Sequence, residues 1–250
     1  MAIAEVAIDL FKSTFSINTN TSDIKFLRVQ EEPYNTLEQK HEFGEKVCVL
    51  HTVSLSIFNI EVNLRILCFK YDDHVEVLKL EINVPNDSFS REVAPCKNFL
   101  QRKRNMNLTF ELLIKFAKLF EMRRLICWTV FKKYPLIIVT ENEAGIAVKC
   151  YTANFNRNLL DFNWTINWIV EECEVSDFIE FYLNNSVLSK RRRGKVREKL
   201  EVIVQPHIDF HTKLKLWKSV LENLYSRPSA PTTDILEISS DEDDSVIEIS

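Results

Sequence analysis

The sequence predicts an α+β protein: two small antiparallel-sheet units, each with helices on one face, followed by a disordered acidic tail. Three observations carry this. Two β-rich tracts, one before residue 86 and one after residue 123, flank a strongly apolar helical stretch at 108–121. Residues 159–170 alternate without a break. Leu160, Phe162, Trp164, Ile166 and Trp168 fall on one side, and Asp161, Asn163, Thr165 and Asn167 on the other. A period of two over that length requires a sheet with one buried face. The last twenty residues hold seven acidic residues and no basic ones, which leaves few side chains to bury.

The elements follow in order. Ile3, Val6, Ala7, Leu10 and Phe11 recur at helical spacing and predict a helix over 2–16. Strands are expected at 23–29, 46–60 and 63–71, where β-branched and aromatic residues concentrate. Residues 74–85 form a fourth strand whose alternation changes phase at Val77–Leu78, the mark of a bulge or bend. Pro85 ends it. Residues 86–107 are polar and read as a linker, with Phe99 and Leu100 as possible anchors, so the boundary between units is placed near 95–107. Leu112, Phe116 and Leu119 form the stripe of the helix at 108–121, with Asn107 or Thr109 as its cap. A second run of strands is expected at 124–131, 136–140, 145–152, 159–170 and 175–183. Helices are expected at 187–200 and 209–225, the latter lined by Leu214, Trp217, Val220, Leu221 and Leu224. The units are therefore 1–100, 105–228 and the tail, 229–250. The two helical tracts at 108–121 and 209–225 offer more apolar stripe than one small sheet covers, which predicts a protein partner.

Composition excludes several classes. The 250 residues are 46% hydrophobic and 27% charged, the profile of a folded chain. Three glycines, Gly44, Gly145 and Gly194, cannot build a phosphate-cradling glycine loop. Six cysteines lack any CxxC pair, so neither a disulfide framework nor a zinc site is expected. The N-terminus carries Glu5 and Asp9 within its apolar pattern and makes a poor secretory signal. No run of apolar residues is long enough for a membrane span, and an intracellular protein is expected. Without the seven tail acids the chain holds 29 acidic and 32 basic residues, a net of +3. A mildly basic body thus carries a strongly acidic tail, an asymmetry that concerns partners rather than fold.

Little in the sequence suggests catalysis. His207, Asp209 and His211 form HxDxH, but the segment enters a helix, where Asp209 serves as a cap. His41, His51 and His74 are isolated, and no serine lies in a GxSxG elbow. No catalytic residue, metal or cofactor is expected, and the chain reads as non-enzymatic. Lys190, Arg191, Arg192, Arg193, Lys195 and Arg197 lie in a decapeptide with seven basic residues. This run is a candidate for nuclear import, nucleic-acid contact or an acidic partner surface. Direct DNA contact is weakly signalled, and with no aromatic residues interleaved among the charges a single-strand stacking platform is not signalled.

"HVEVLKLEINVP", "LTFELLIKFAKLFEMRRLICWTVFKKYPLIIV" and "LLDFNWTINWIVEECEVSDFIEFYL" resemble the closing strand of a first unit, then a helix, and then the aromatic strand and final strand of a second. Over residues 74–183 the layout resembles the tandem RWD family of the inner kinetochore, its centromere protein P-like branch. The resemblance implies a non-enzymatic subunit that pairs with a second RWD-type protein on centromeric chromatin.

The tail carries a different signal. Ile235, Leu236 and Ile238 flank Glu237, and Val246, Ile247 and Ile249 flank Glu248 in the same pattern. Between them stand Ser239, Ser240, Asp241, Glu242, Asp243, Asp244 and Ser245. This looks like two SUMO-interacting motifs sharing one acidic flank. A short β-branched segment adds a strand to the edge of a ubiquitin-like sheet, and flanking acids meet the basic rim of its groove. The three serines sit in acidophilic-kinase context, where phosphate adds to that charge. The expected function is a nuclear, chromatin-associated adaptor with a protein-binding body and a SUMO-binding tail. The alternative is a SUMO-dependent adaptor in DNA repair, telomere protection or heterochromatin silencing.

Overall fold

The computed structural model describes residues 2–17, 23–34, 48–86, 89–206 and 208–225. Its first sheet is an antiparallel meander of β1 (Ile24–Pro33), β2 (Cys48–Ile57), β3 (Ile60–Lys70) and β4 (Val75–Asn83), preceded by helix α1 (Ala2–Thr14). Val53, Leu55, Val62, Leu64 and Ile66 alternate along β2 and β3 and are essentially inaccessible to water. The expected irregularity in β4 is real. Leu67 pairs with Lys79 but Cys68 pairs with Val77, so Leu78 is the extra residue. The phase change in the sequence is this bulge, which moves burial from the odd to the even positions of the strand.

The reading of 86–107 as a linker needs correction. Helix α2 spans Ser90–Lys103 with Pro95 inside it, and it buries Val93, Cys96, Phe99 and Leu100. The spacing of these residues with Phe89 is helical, but the proline and the flanking charges mask the stripe. Arg104 takes a left-handed conformation (φ +55°) and closes α2. Asn105, rather than Asn107 or Thr109, then caps helix α3 (Met106–Thr129), its side chain accepting from the Leu108 N–H at 3.0 Å. The helix consumes the first strand expected in the second unit. Residues 124–129 lie in its last turns, where Arg123, Ile126, Cys127 and Val130 are buried at helical spacing. A β-rich composition there was overridden by tertiary packing.

A 3-10 turn (Phe131–Lys133) leads to the second meander: β5 (Ile137–Asn142), β6 (Gly145–Tyr151), β7 (Asn158–Ile169) and β8 (Glu174–Leu183). Helices α4 (Lys190–Ile203) and α5 (Phe210–Tyr225) pack against one another and over this sheet. Asp209 caps α5 as expected, accepting from the Thr212 N–H at 3.0 Å. Trp217 sits at the centre of the second core, stacked on Phe162 (4.5 Å) and edge-on to Phe131 (5.1 Å). Burying such a ring is worth roughly 2–3 kcal/mol before ordering costs.

The two sheets are separate, but α2 and α3 serve both. Phe110, Leu112, Leu113 and Phe116 of α3 belong to the first core, and Ile126 and Cys127 to the second. Ile166 and Val175, from the far end of the β7–β8 hairpin, enter the first core, where Trp168 stacks on Phe116 at 5.3 Å. The apolar stripe at 108–121 is therefore covered from within. It does not supply the exposed surface from which a partner was expected.

Candidate functional site

The most elaborate polar arrangement in the molecule joins α2, α3 and β7. Glu92 of α2 and Arg123 of α3 are both buried and pair in a two-pronged contact at 2.7 and 2.6 Å. Arg123 also donates to the Trp164 carbonyl at 3.0 Å, and Glu92 accepts from the Ile166 N–H at 2.6 Å. The Trp168 indole N–H donates to the Glu92 carbonyl. The reason lies in the register. β6 starts at Gly145, and its pairing with β7 begins at Ile146 opposite Trp164, so β7 runs several residues beyond its neighbour. Glu92 and Arg123 satisfy backbone groups of β7 where that neighbour ends. Gly145 itself stands at φ +128°, and a Cβ there would lie 2.5 Å from the Trp164 carbonyl oxygen. The first N–H groups of α2, from Arg91 and Glu92, reach the Glu143 carbonyl in the β5–β6 turn. The cluster is therefore a clamp between the units, with its donors and acceptors used within the fold. Sequence reasoning missed it because Glu92 and Arg123 are 31 residues apart and each reads as a surface charge.

A second buried pair lies in the second unit. Lys213 of α5 meets Asp177 of β8, which also accepts from the Trp164 indole N–H at 3.1 Å. In the first unit His51 of β2 is 2% exposed and packs against the rings of Phe11 and Phe15; neither ring nitrogen has a hydrogen-bond partner among the described residues, and the Glu31 carboxylate lies 3.9 Å from Nδ1. Desolvation lowers its pKa, with Glu31 opposing and Lys70 reinforcing the shift. All six cysteines are free, and five are buried. Burial pushes the Cys68, Cys127 and Cys150 thiols up to about 12, so they stay protonated at neutral pH. No cluster of three or more His, Cys, Asp or Glu suited to a metal occurs among the described residues. No described helix is long and apolar enough to cross a membrane.

The basic run occupies the first half of α4. Lys190, Arg191, Lys195 and Arg197 are exposed, while Arg192 and Arg193 are half-buried. Arg193 is tied down, donating to the Asn185 carbonyl at 3.0 Å. The local sequence is poor for a helix start. Ser189 makes no side-chain cap, no acid stands in the first turn, and an added Cβ at Gly194 would meet nothing within 4 Å. Cations near a helix N-terminus cost about 0.3–1 kcal/mol each, and a mid-helix glycine about 1 kcal/mol. Burial of Val196, Leu200 and Ile203 holds the helix instead. The run is thus a positively charged face pinned to the second core.

Exposed large apolar side chains include Trp128 on α3, covered on one side by Lys132 at 3.7 Å, and Phe178 and Tyr182 on the outward face of edge strand β8. All of the tail candidates lie outside the described residues: Ile235, Leu236, Ile238, Val246, Ile247 and Ile249, the acids Asp241 to Asp244, and the serines Ser239, Ser240 and Ser245. No protein-family model matches the chain, and no curated protein matches it.

Proposed function

We propose that this chain is a non-enzymatic nuclear adaptor whose tail binds SUMO or SUMO-modified proteins and whose body binds a second protein subunit on chromatin. The paired tail motif carries the reading. Two aliphatic tetrads, Ile235–Ile238 and Val246–Ile249, share one acidic block. Each suits strand addition to a ubiquitin-like sheet, and two weak sites in tandem favour a SUMO chain or a multiply modified assembly through effective concentration. The positively charged face of α4 supports nuclear import or contact with an acidic chromatin component. Two four-stranded antiparallel sheets with attached helices support the tandem RWD interpretation and, with it, a kinetochore setting. Trp128, Phe178 and Tyr182 are among the exposed apolar groups available to a partner.

The deciding experiment is an NMR titration of labelled SUMO with the full chain, watching edge-strand amides. Alanine at Ile247 and Ile249 should nearly abolish the second site, and alanine at Ile235 and Ile238 the first. A tail with the same charges but scrambled aliphatics is the control. Equal binding by that control would reduce the interaction to bulk electrostatics and end the paired-motif reading. Partner identification by immunoprecipitation separates the settings. An RWD-containing partner favours the kinetochore, and repair, telomere or silencing factors favour the alternative. Replacing Lys190, Arg191, Arg192 and Arg193 by alanine should lower nuclear accumulation, as read by microscopy.

A further inference from the structure

The root of the tail can be placed against the basic helix by register alone. Tyr225, the last described residue, stacks on Tyr134 at 5.6 Å, and its hydroxyl donates to the Leu136 carbonyl at 3.4 Å, beside the first residue of β5. Across the sheet Ile137 lies opposite Cys150, Cys150 opposite Leu160, and Leu160 opposite Leu183. These four residues form one row, and three interstrand steps span about 14 Å. Leu183 ends β8, and the Asn184 N–H donates to the Leu159 carbonyl. Arg193 holds the first turns of α4 to the Asn185 carbonyl in the same loop. The tail therefore starts at the end of the sheet where the basic half of α4 is anchored.

The chain length fits this gap. Asp241 lies sixteen positions beyond Tyr225. That length of chain reaches about 50 Å when extended, and roughly 20 Å as a flexible chain. The charges are opposite and concentrated. Asp241, Glu242, Asp243 and Asp244 are consecutive, whereas Lys190, Arg191, Lys195 and Arg197 are exposed and have no carboxylate partner among the described residues. Glu198 and Glu201 confine the positive face to the first two turns. A short tether gives an effective concentration on the order of 1 mM, so a contact with an intermolecular Kd of about 1 mM is already half-occupied.

We propose that the acidic block Asp241–Asp244 of this chain's own tail docks on the basic face of α4 formed by Lys190, Arg191, Lys195 and Arg197. Each then masks the other in the free chain. The docking stands without the SUMO reading. Its regulatory consequence rests on that reading, because the acids that flank the aliphatic tetrads would be shared between α4 and SUMO. SUMO binding would then uncover the basic face, and phosphate on Ser239, Ser240 or Ser245 would strengthen docking to α4.

The test uses the full chain. Zero-length carbodiimide crosslinking at low salt should join Lys190 or Lys195 to Asp241–Asp244 within one copy, and the yield should fall severalfold as salt rises. Exposed Lys149 and Lys25 are the reference lysines. Equal coupling to them, or crosslinks only between isotopically distinct copies, overturns the proposal. A short DNA duplex serves as the anionic probe of the helix. Replacing Asp241 and Asp243 by Asn, Glu242 by Gln and Asp244 by Asn should tighten its binding about threefold or more at low salt. The gain should vanish when Lys190, Arg191, Lys195 and Arg197 are alanine. A gain that survives in that background is a net-charge effect and overturns the docking, as does no gain at all. If the crosslinks form but SUMO shifts no amides, the docking stands and the SUMO reading fails.

Discussion

The first sheet buries an imidazole with no hydrogen-bond partner among the described residues, and the second buries a lysine held by a carboxylate. Both sheets are four-stranded meanders of the same order. The difference lies in what surrounds each group. Burial favours the neutral form of His51, which packs against the rings of Phe11 and Phe15 with the Glu31 carboxylate 3.9 Å from its Nδ1. Lys213 is instead buried beside Asp177 of β8, whose carboxylate meets its ammonium group. The clamp between the units repeats the second solution with Glu92 and Arg123, in a fuller form that also serves the backbone of β7. The second unit and the clamp thus pair their buried ionic groups with opposite charges.

The comparison breaks most severely at the clamp. Replacing Arg123 with Met leaves the Glu92 carboxylate buried without its cation and should cost about 3–5 kcal/mol in a denaturant titration. Exchanging Glu92 for Leu in the same chain should recover part of that loss. Strictly additive losses would show that the two residues do not act as a pair. Replacing Lys213 with Met tests the second sheet in the same way, with an expected loss of roughly 2–4 kcal/mol and a changed Trp164 fluorescence, because Asp177 keeps only the indole donor.

Smaller effects sharpen the contrast. Gly145→Ala should cost about 1–3 kcal/mol, because the backbone must leave φ +128° and a Cβ would crowd the Trp164 carbonyl. Gly194→Ala should instead stabilise α4 by a fraction of about 1 kcal/mol. The mildest test is pH. Burial holds the folded-state pKa of His51 below its ordinary value of about 6.5, so its contribution is complete above that pH. It should be lost progressively as pH falls from about 6.5 toward the folded value, since the unfolded chain takes up the proton first. His51→Leu should remove that component from a plot of midpoint against pH. An unchanged acid limb would place the sensitivity elsewhere.

Much of this fold was legible because its signals are local. The alternation from Leu160 to Trp168, the bulge at Leu78 and the Asp209 cap each depend on residues within a few positions of one another. Residues 86–107 and 124–129 were misread for opposite reasons. The first hides a helical stripe behind Pro95 and surrounding charge. The second has β-branched and aromatic residues that α3 absorbs because Ile126 and Cys127 find the second core at helical spacing. The basic run was legible as charge, but its place beside the root of the tail was not, since that follows from strand register across the whole second sheet.

By itself the sequence determined the alternation of buried and exposed positions, the asymmetry of charge, and the paired aliphatic motif of the tail. All three are properties of consecutive residues. Tertiary structure alone decided that Glu92 meets Arg123, that Lys213 meets Asp177, and that α3 covers its own apolar stripe with the first core. The physical reason is that a buried charge is acceptable only beside its counter-charge, and pairs 31 and 36 residues apart become neighbours only after helices and strands have packed.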